Sequence, residues 1–275
     1  MKLSVIMTTY NRPDALNAVL LALMRQTTVS PDEWEIIVAD DGSAEPTRSV
    51  IQQFSKQGDV PVWHVWHPDN GFRAAEIRNR AAIRATGDYL VFLDGDCMPM
   101  PDFIAKHKAV AEPGKAVAGN RILLSKRYTS ELLSSQNPIK PCNWNPFQWT
   151  GARWQGKVNK SVGWLRLDLE KWRDRKATDW RIFRSCNVGI WKKDFLKVDG
   201  FDAAFSGWGY EDSDLAVRLL RAGVTLRDGR FAVPVLHLWH ADNDRNRQAE
   251  NWKKFEMTLH GTHVRARQGV TGITP

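Results

Sequence analysis

Asp94-Gly95-Asp96 sets two carboxylates on one side of a tight turn, directly after the apolar run Tyr89 to Leu93. Hard oxygen donors in that arrangement, a DxD motif, suit Mg2+ or Mn2+, above all where phosphate oxygens complete the coordination shell. A second acidic cluster lies far downstream in GWGYEDSDL, Gly207 to Leu215, where Glu211, Asp212 and Asp214 follow a Trp flanked by glycines. Leu215, Leu219 and Leu220 continue a helical pattern to Gly223, so the acids also fit a helix start, where negative charge meets the positive end of the helix. That accounts for Asp214, but it does not explain Gly-Trp-Gly. HLWH, His237 to His240, adds two imidazoles after another apolar run. DxD motifs and single histidines occur by chance in many chains, so position must decide.

The elements needed to position these residues alternate along the first half. Leu3 to Met7, Trp34 to Ala39, Val60 to Trp66 and Tyr89 to Leu93 read as strands. Between them lie helical stretches: one capped by Asp14 and running to Leu23, one from Thr47 to Phe54, and one from Ala74 to Thr86. Such alternation predicts an α/β fold with a mostly parallel sheet and helices on both faces. Ligands bind beyond the carboxyl ends of such strands. Thr8-Thr9-Tyr10-Asn11, Asp40-Asp41 and Asp94 with Asp96 all fall there. One Asp-Gly after a strand is most often only a turn; three polar clusters at three strand ends point to an active site.

Beyond Gly114 the pattern predicts a strand over Lys115 to Leu124, one near Cys186 to Trp191, a helix start at Lys193, a late strand from Val233 to Trp239 and a closing helix from Asp244 to Leu259. The stretch between is different in composition. Six of the 13 tryptophans fall between Cys142 and Arg181, and Arg153 to Arg184 holds ten Lys or Arg against four Asp or Glu. Aromatic faces stack on sugars and basic groups meet anions, so this stretch suits acceptor recognition or a membrane surface. Packing over the sheet explains the tryptophans equally well.

The chain has 275 residues and a net charge of +8, which favours anionic partners. Three widely spaced cysteines, Cys97, Cys142 and Cys186, form no CxxC pair, which fits a reducing compartment without a disulfide framework or thiolate zinc site. The N-terminus carries no long apolar segment of the signal-peptide kind, so a cytoplasmic location is expected. GxxxxGK[ST] and GxGxxG are both absent, which excludes a P-loop and argues against a dinucleotide fold.

SVIMTTYNRP, EIIVADDGS, IRNRAAIRATGDYLVFLDGD and KVDGFDAAFSGWGYEDSDLAVRLLRAG, in that order, resemble the successive motifs of family 2 glycosyltransferases with the GT-A fold. The last block is also similar to the C-terminal part of β-1,4-galactosyltransferases and to chondroitin-type polymerases. The resemblance covers about residues 2–124 and 182–240. It implies a single GT-A domain: 1–124 for the nucleotide sugar, 182–275 for acceptor and catalysis, and a Trp-rich insertion over 125–181.

It also implies roles. Thr8, Tyr10 and Asp41, with Asp40 beside it, hold the nucleoside; a carboxylate accepting the uracil N3–H makes UDP-sugars the expected donors. Arg78 lies near the diphosphate, with Arg73 a second candidate. Asp96 ligates Mn2+ or Mg2+, Asp94 touches ribose or metal, and His237 or His240 completes the shell. Asp212 is the base of an inverting transfer, Glu211 holds acceptor or donor hydroxyls, and Trp208 offers an apolar face to a sugar ring. UDP-Gal or UDP-GalNAc is favoured, with UDP-Glc and UDP-GlcNAc open. The implied acceptor is a glycan or lipid-linked saccharide of bacterial surface polysaccharide, lipopolysaccharide or capsule, with peripheral contact at the inner face of the membrane.

Two other classes compete. The +8 charge and the Trp/Arg interleaving suit a nucleic-acid-binding protein, but strand-end carboxylates repel phosphate unless a metal intervenes, so no nucleic-acid partner is expected. A non-catalytic carbohydrate-binding relative fits poorly with intact DGD and ED motifs.

Overall fold

The computed structural model describes residues 1–242 and 244–273. Its elements run β1 (Leu3–Thr9), α1 (Pro13–Leu23), β2 (Trp34–Asp40), α2 (Glu45–Gln57), β3 (Val62–Trp66), α3 (Ala74–Arg84), β4 (Tyr89–Asp94), β5 (Cys97–Pro99), α4 (Phe103–Val110), β6 (Lys115–Ala118) and β7 (Asn120–Leu123). They continue with α5 (Lys126–Leu133), α6 (Pro146–Trp154), α7 (Glu170–Arg173), β8 (Asn187–Trp191), α8 (Lys192–Lys197), α9 (Glu211–Arg221), β9 (Thr225–Asp228), β10 (Pro234–His237) and α10 (Gln248–His260).

Seven strands form the main sheet in the order β3-β2-β1-β4-β8-β6-β9. β1, β2, β3 and β4 are parallel, β8 is antiparallel to both its neighbours, and β6 and β9 are again parallel. Alternation along each strand builds a core on either face. Val5 and Met7 of β1, Ile36 and Val38 of β2, and Val91 and Leu93 of β4 meet α1 and α2 on one side. Ile6, Ile37, Leu90 and Phe92 meet α3, α8 and α9 on the other. Fully burying one such side chain contributes roughly 1.5–3 kcal/mol, so register is set firmly by this two-sided core.

The structure corrects three local expectations. Asp14 does not cap α1. Pro13 occupies the first turn, Arg12 is the N-cap without a side-chain bond, and Asp14 lies inside the helix, paired with Arg12. The strand expected over Lys115 to Leu124 is two strands in different sheets. At Gly119 the chain runs against Asn187, where an added Cβ would lie 2.3 Å from its side-chain nitrogen. β7 then joins a small second sheet, β5-β10-β7, that sequence periodicity did not reveal. In it β10 pairs with β5 and β7, so His237 lies opposite Cys97 and Leu123. The closing helix starts at Gln248, four residues later than expected.

The Trp-rich stretch divides. Trp149 is fully buried, Trp144 stacks on Tyr128, and Trp180 packs edge-on against Phe255. Trp154, Trp164 and Trp172 are exposed. All three cysteines are buried and unpaired. Among the described residues, no helix is long and apolar enough to cross a membrane.

Candidate active site

A cleft of about 390 Å3 opens beyond the carboxyl ends of β1, β2 and β4. Thr8, Tyr10, Asp41, Arg78, Asp94, Asp96 and His240 lie on its wall, with Arg12, Phe72 and Ala74. At its centre is Arg78, on α3 and buried. Its guanidinium donates to Thr8 Oγ1 at 3.0 Å, to Asp94 Oδ1 at 3.0 Å and to Glu211 Oε1 at 3.2 Å, and it lies over the Phe201 ring. Burial works against its charge, but Asp94 and Glu211 outweigh this and raise its pKa. Asn79, the next residue, exchanges hydrogen bonds with the backbone of Phe201 and so ties α3 to the turn before α9.

The neighbouring aspartates after β2 diverge. Asp40 is fully buried, accepts from the Ser43 N–H and lies 2.9 Å from His64 Nε2. It holds the turn and is not on the cleft wall. Asp41 faces the cleft, accepts from the Arg73 N–H at 2.8 Å and lies 2.6 Å from His67 Nε2. Arg73 contributes that N–H, while its guanidinium is occupied by Glu76 and the Pro68 carbonyl; its side chain is therefore turned from the cleft. Tyr10 donates to Asp69. His67 and Asp69, in the polar loop HPDNGFR after β3, were missed by sequence reasoning; their only signal was the density of polar residues there.

Asp96, His237 and His240 form a cluster whose ligating atoms all lie within 4.8 Å of one another. Asp96 approaches His237 Nε2 at 3.6 Å and His240 Nε2 at 3.4 Å. The sequence left the choice between the two histidines open; the fold brings both to Asp96. Asp94 stands apart from this cluster, paired to Arg78. Burial lowers the pKa of His237, with Asp96 pulling the other way, and the neutral imidazole is the metal-ligating form. One carboxylate and two imidazoles converging on one point fit a divalent cation.

The acidic motif occupies the first turn of α9. Gly207 and Gly209 have φ of 76° and 110°, and Tyr210, the N-cap, is also left-handed at 72°. Three left-handed residues in four make a sharp bend that only glycine enters without cost, which explains Gly-Trp-Gly. Tyr210 is held there by its ring, stacked on Phe255 and edge-on to Trp252. The bend directs Glu211 to Arg78. Burial, reinforced by Asp212 and opposed by Arg78, raises the Glu211 pKa to about 7. Asp212 is half-buried, its Oδ1 held by Ser213 and its Oδ2, among the described residues, accepting only from the Ser185 N–H at 3.4 Å. Asp214 is fully buried against Arg218 and Thr258 and acts in packing alone. Trp208 is half-buried under the Arg245 guanidinium. Trp208, Glu211, Asp212 and His237 lie outside the cleft wall itself.

Residues 4–161 match the model of glycosyl transferase family 2. The chain belongs to that family. Residues 168–240 of this glycosyltransferase also match a model described as the N-terminal domain of galactosyltransferase. It is 33% identical over 233 residues to validoxylamine A glucosyltransferase of Streptomyces hygroscopicus subsp. limoneus, covering 83% of this chain and 50% of the relative. It is 32% identical to chondroitin synthase of Escherichia coli, covering 82% and 33%. The glycosyltransferase therefore spans half or less of the length of these relatives. Its fold is that of GT-A enzymes. A mannosyltransferase, PcManGT from Pyrobaculum calidifontis, in complex with GDP-Man and Mn2+, superposes with a TM-score of 0.63 at 18% identity, covering 94% of this chain and 64% of that one. Staphylococcus aureus TarS 1-349 in complex with UDP-GlcNAc superposes at 0.59 and 13% identity, covering 99% and 69%.

Proposed function

We propose that this family 2 glycosyltransferase is an inverting, metal-dependent enzyme that moves a hexose from a UDP-sugar to a glycan or lipid-linked saccharide. The observation that carries it is Arg78 joining Thr8, Asp94 and Glu211 beside the Asp96-His237-His240 cluster. One side chain thereby links the first strand, the DxD turn and the acidic helix start.

The nucleoside lies against Thr8, Tyr10 and Asp41. Asp41 keeps lone pairs toward the cleft beyond those given to His67 and Arg73, and these accept the uracil N3–H. Arg78 meets the diphosphate. Asp96, His237 and His240 hold the cation; two imidazoles favour Mn2+ over Mg2+, which takes oxygen donors and water. When bound, the cation stabilises negative charge on the departing diphosphate. Asp212 accepts the proton of the acceptor hydroxyl as that oxygen bonds to the anomeric carbon and the bond to UDP breaks on the opposite face. Glu211 and Trp208 hold sugar hydroxyls and ring. UDP-Gal and UDP-GalNAc are favoured by the likeness of residues 168–240 to a galactosyltransferase domain; the glucosyltransferase relative and the UDP-GlcNAc complex of TarS support UDP-Glc and UDP-GlcNAc as the next candidates. Chondroitin synthase among the relatives supports a role in polysaccharide synthesis; we place that role in bacterial lipopolysaccharide or capsule assembly, at the cytoplasmic face of the membrane.

A donor screen by thermal shift with Mn2+ tests this, because a ligand of the folded state raises apparent stability. A UDP-sugar should stabilise the protein more with Mn2+ than without it. Stabilisation by GDP-Man and by no UDP-sugar would overturn the donor assignment.

A further inference from the structure

Helix α6 presents two faces that differ more than those of any other element in the Trp-rich stretch. Trp149 and Ala152 are buried beneath it. Phe147 and Trp154, seven residues apart and thus on one side of the helix, are 88% and 89% exposed. Single exposed hydrophobics are ordinary, but two aromatic side chains almost wholly in water on one short helix are not. Trp164 and Val162 are exposed nearby: the added Cβ at Gly163 would touch the Trp149 ring at 2.3 Å, which places that turn against the base of α6.

The charge around this patch is mainly positive: Glu131, which shares a groove with Phe147 and Lys140, is paired with Arg127. From Leu132 to Leu167 there is no Asp or Glu, against Lys140, Arg153, Lys157, Lys160 and Arg166. Arg166 is paired with Asp102. The other four have no carboxylate partner among the described residues, and Lys140, Arg153 and Lys160 are exposed. Exposed aromatic rings on a stretch of excess basic side chains, with Lys140 and Lys157 in the groove beside Phe147, match the boundary between acyl chains and anionic headgroups. The same lobe is tied to the cation cluster: Thr129 of α5 accepts from the Trp239 N–H at 2.9 Å, and Lys126 lies over the Trp239 ring.

We infer that α6 is an interfacial anchor, with Phe147 and Trp154 inserting into an anionic bilayer surface and Lys140, Arg153 and Lys160 meeting its headgroups. The occupant is the lipid surface rather than a second copy of the chain, because two copies of this face would bring like charges together. The inference rests on the membrane placement proposed above and not on the sugar chemistry, and lipid binding reads it without turnover.

Sedimentation of the full chain with phosphatidylglycerol-rich vesicles tests it. The wild type should bind these vesicles, not pure phosphatidylcholine, and release with salt. Phe147→Ser/Trp154→Ser should bind at least about tenfold less, given the apolar area removed, and each of Lys140→Gln and Lys160→Gln about fivefold less. Both aromatics are exposed, so the double variant should keep its thermal unfolding midpoint and its Mn2+-dependent UDP-sugar binding; loss of that binding in the wild type would instead strike the transferase proposal. Tryptophan emission should shift to the blue on vesicle binding, and less so in Trp154→Phe. Absence of wild-type binding, equal binding by the double variant, or lipid-free dimerisation lost in the double variant would overturn it.

Discussion

Arg78 Nη1 lies 3.2 Å from Glu211 Oε1, joining two residues 133 positions apart in the chain. Both side chains are largely buried, and the same guanidinium also holds Asp94. Breaking a buried pair by removing one partner leaves an uncompensated charge, at a cost of about 3–5 kcal/mol. Arg78→Met should therefore lower the urea-unfolding free energy by about that amount. It should also weaken UDP-sugar binding, measured by calorimetry in the presence of Mn2+. Unchanged donor affinity in a folded Arg78→Met protein would remove Arg78 from the diphosphate site.

Asp212→Asn keeps the size of the side chain and removes the proposed base. It should reduce turnover by about 10²–10⁴ and leave the donor dissociation constant nearly unchanged. Near-normal turnover by this variant would show that the base is another group, Glu211 being the first to examine.

Glu211 titrates where most carboxylates have long been ionised, at about 7. Its folded pKa is raised, so its contribution to stability is fully present below the unfolded value near 4.5 and is lost as pH rises through about 7. The wild type should lose stability relative to Glu211→Gln as pH is taken from about 4 to about 8, read as diverging thermal midpoints. Parallel curves across that range would show that Glu211 titrates normally.

The cation cluster makes a separate prediction. Asp96→Ala, His237→Ala and His240→Ala should each lose the Mn2+-dependent thermal shift seen without nucleotide. Asp94→Asn should retain most of it, because Asp94 is held by Arg78 and stands apart from the cluster. Equal loss in Asp94→Asn would place Asp94 among the ligands.

Asp214 provides a contrast within the same motif. Its carboxylate and Arg218 are both fully buried, and Thr258 completes the contact. Asp214→Ala should destabilise the protein by about 3–5 kcal/mol. At a temperature where the variant remains folded, donor affinity should be normal.

Local pattern carried much of this protein. Short continuous apolar runs in β1, β2 and β4 specified strands buried on both faces, because successive side chains point to opposite sides of the sheet and both must leave water. The order of strands and helices then dictated a mostly parallel sheet with its polar residues at the carboxyl ends. Thr8, Asp41, Asp94 and Asp96 could be named as a group for that reason. The second sheet was invisible, since β5 is only three residues long and the pairings that join β7, β10 and β5 link segments far apart in the chain.

Choices among neighbouring residues belonged to the folded chain. Asp40 and Asp41 are adjacent and chemically identical, yet one faces His64 in the interior and the other faces the cleft; strand pleat decides this, and only the packed sheet defines which face is which. His237 and His240 converge on Asp96 because β10 pairs with β5, a contact between segments about 140 residues apart. Three acids in GWGYEDSDL became three different groups: one beside Arg78, one half-buried and held by Ser213 and the Ser185 N–H, one buried with Arg218. Residue type set what each could do, and burial and long-range partners, which no short stretch of sequence contains, set what each does.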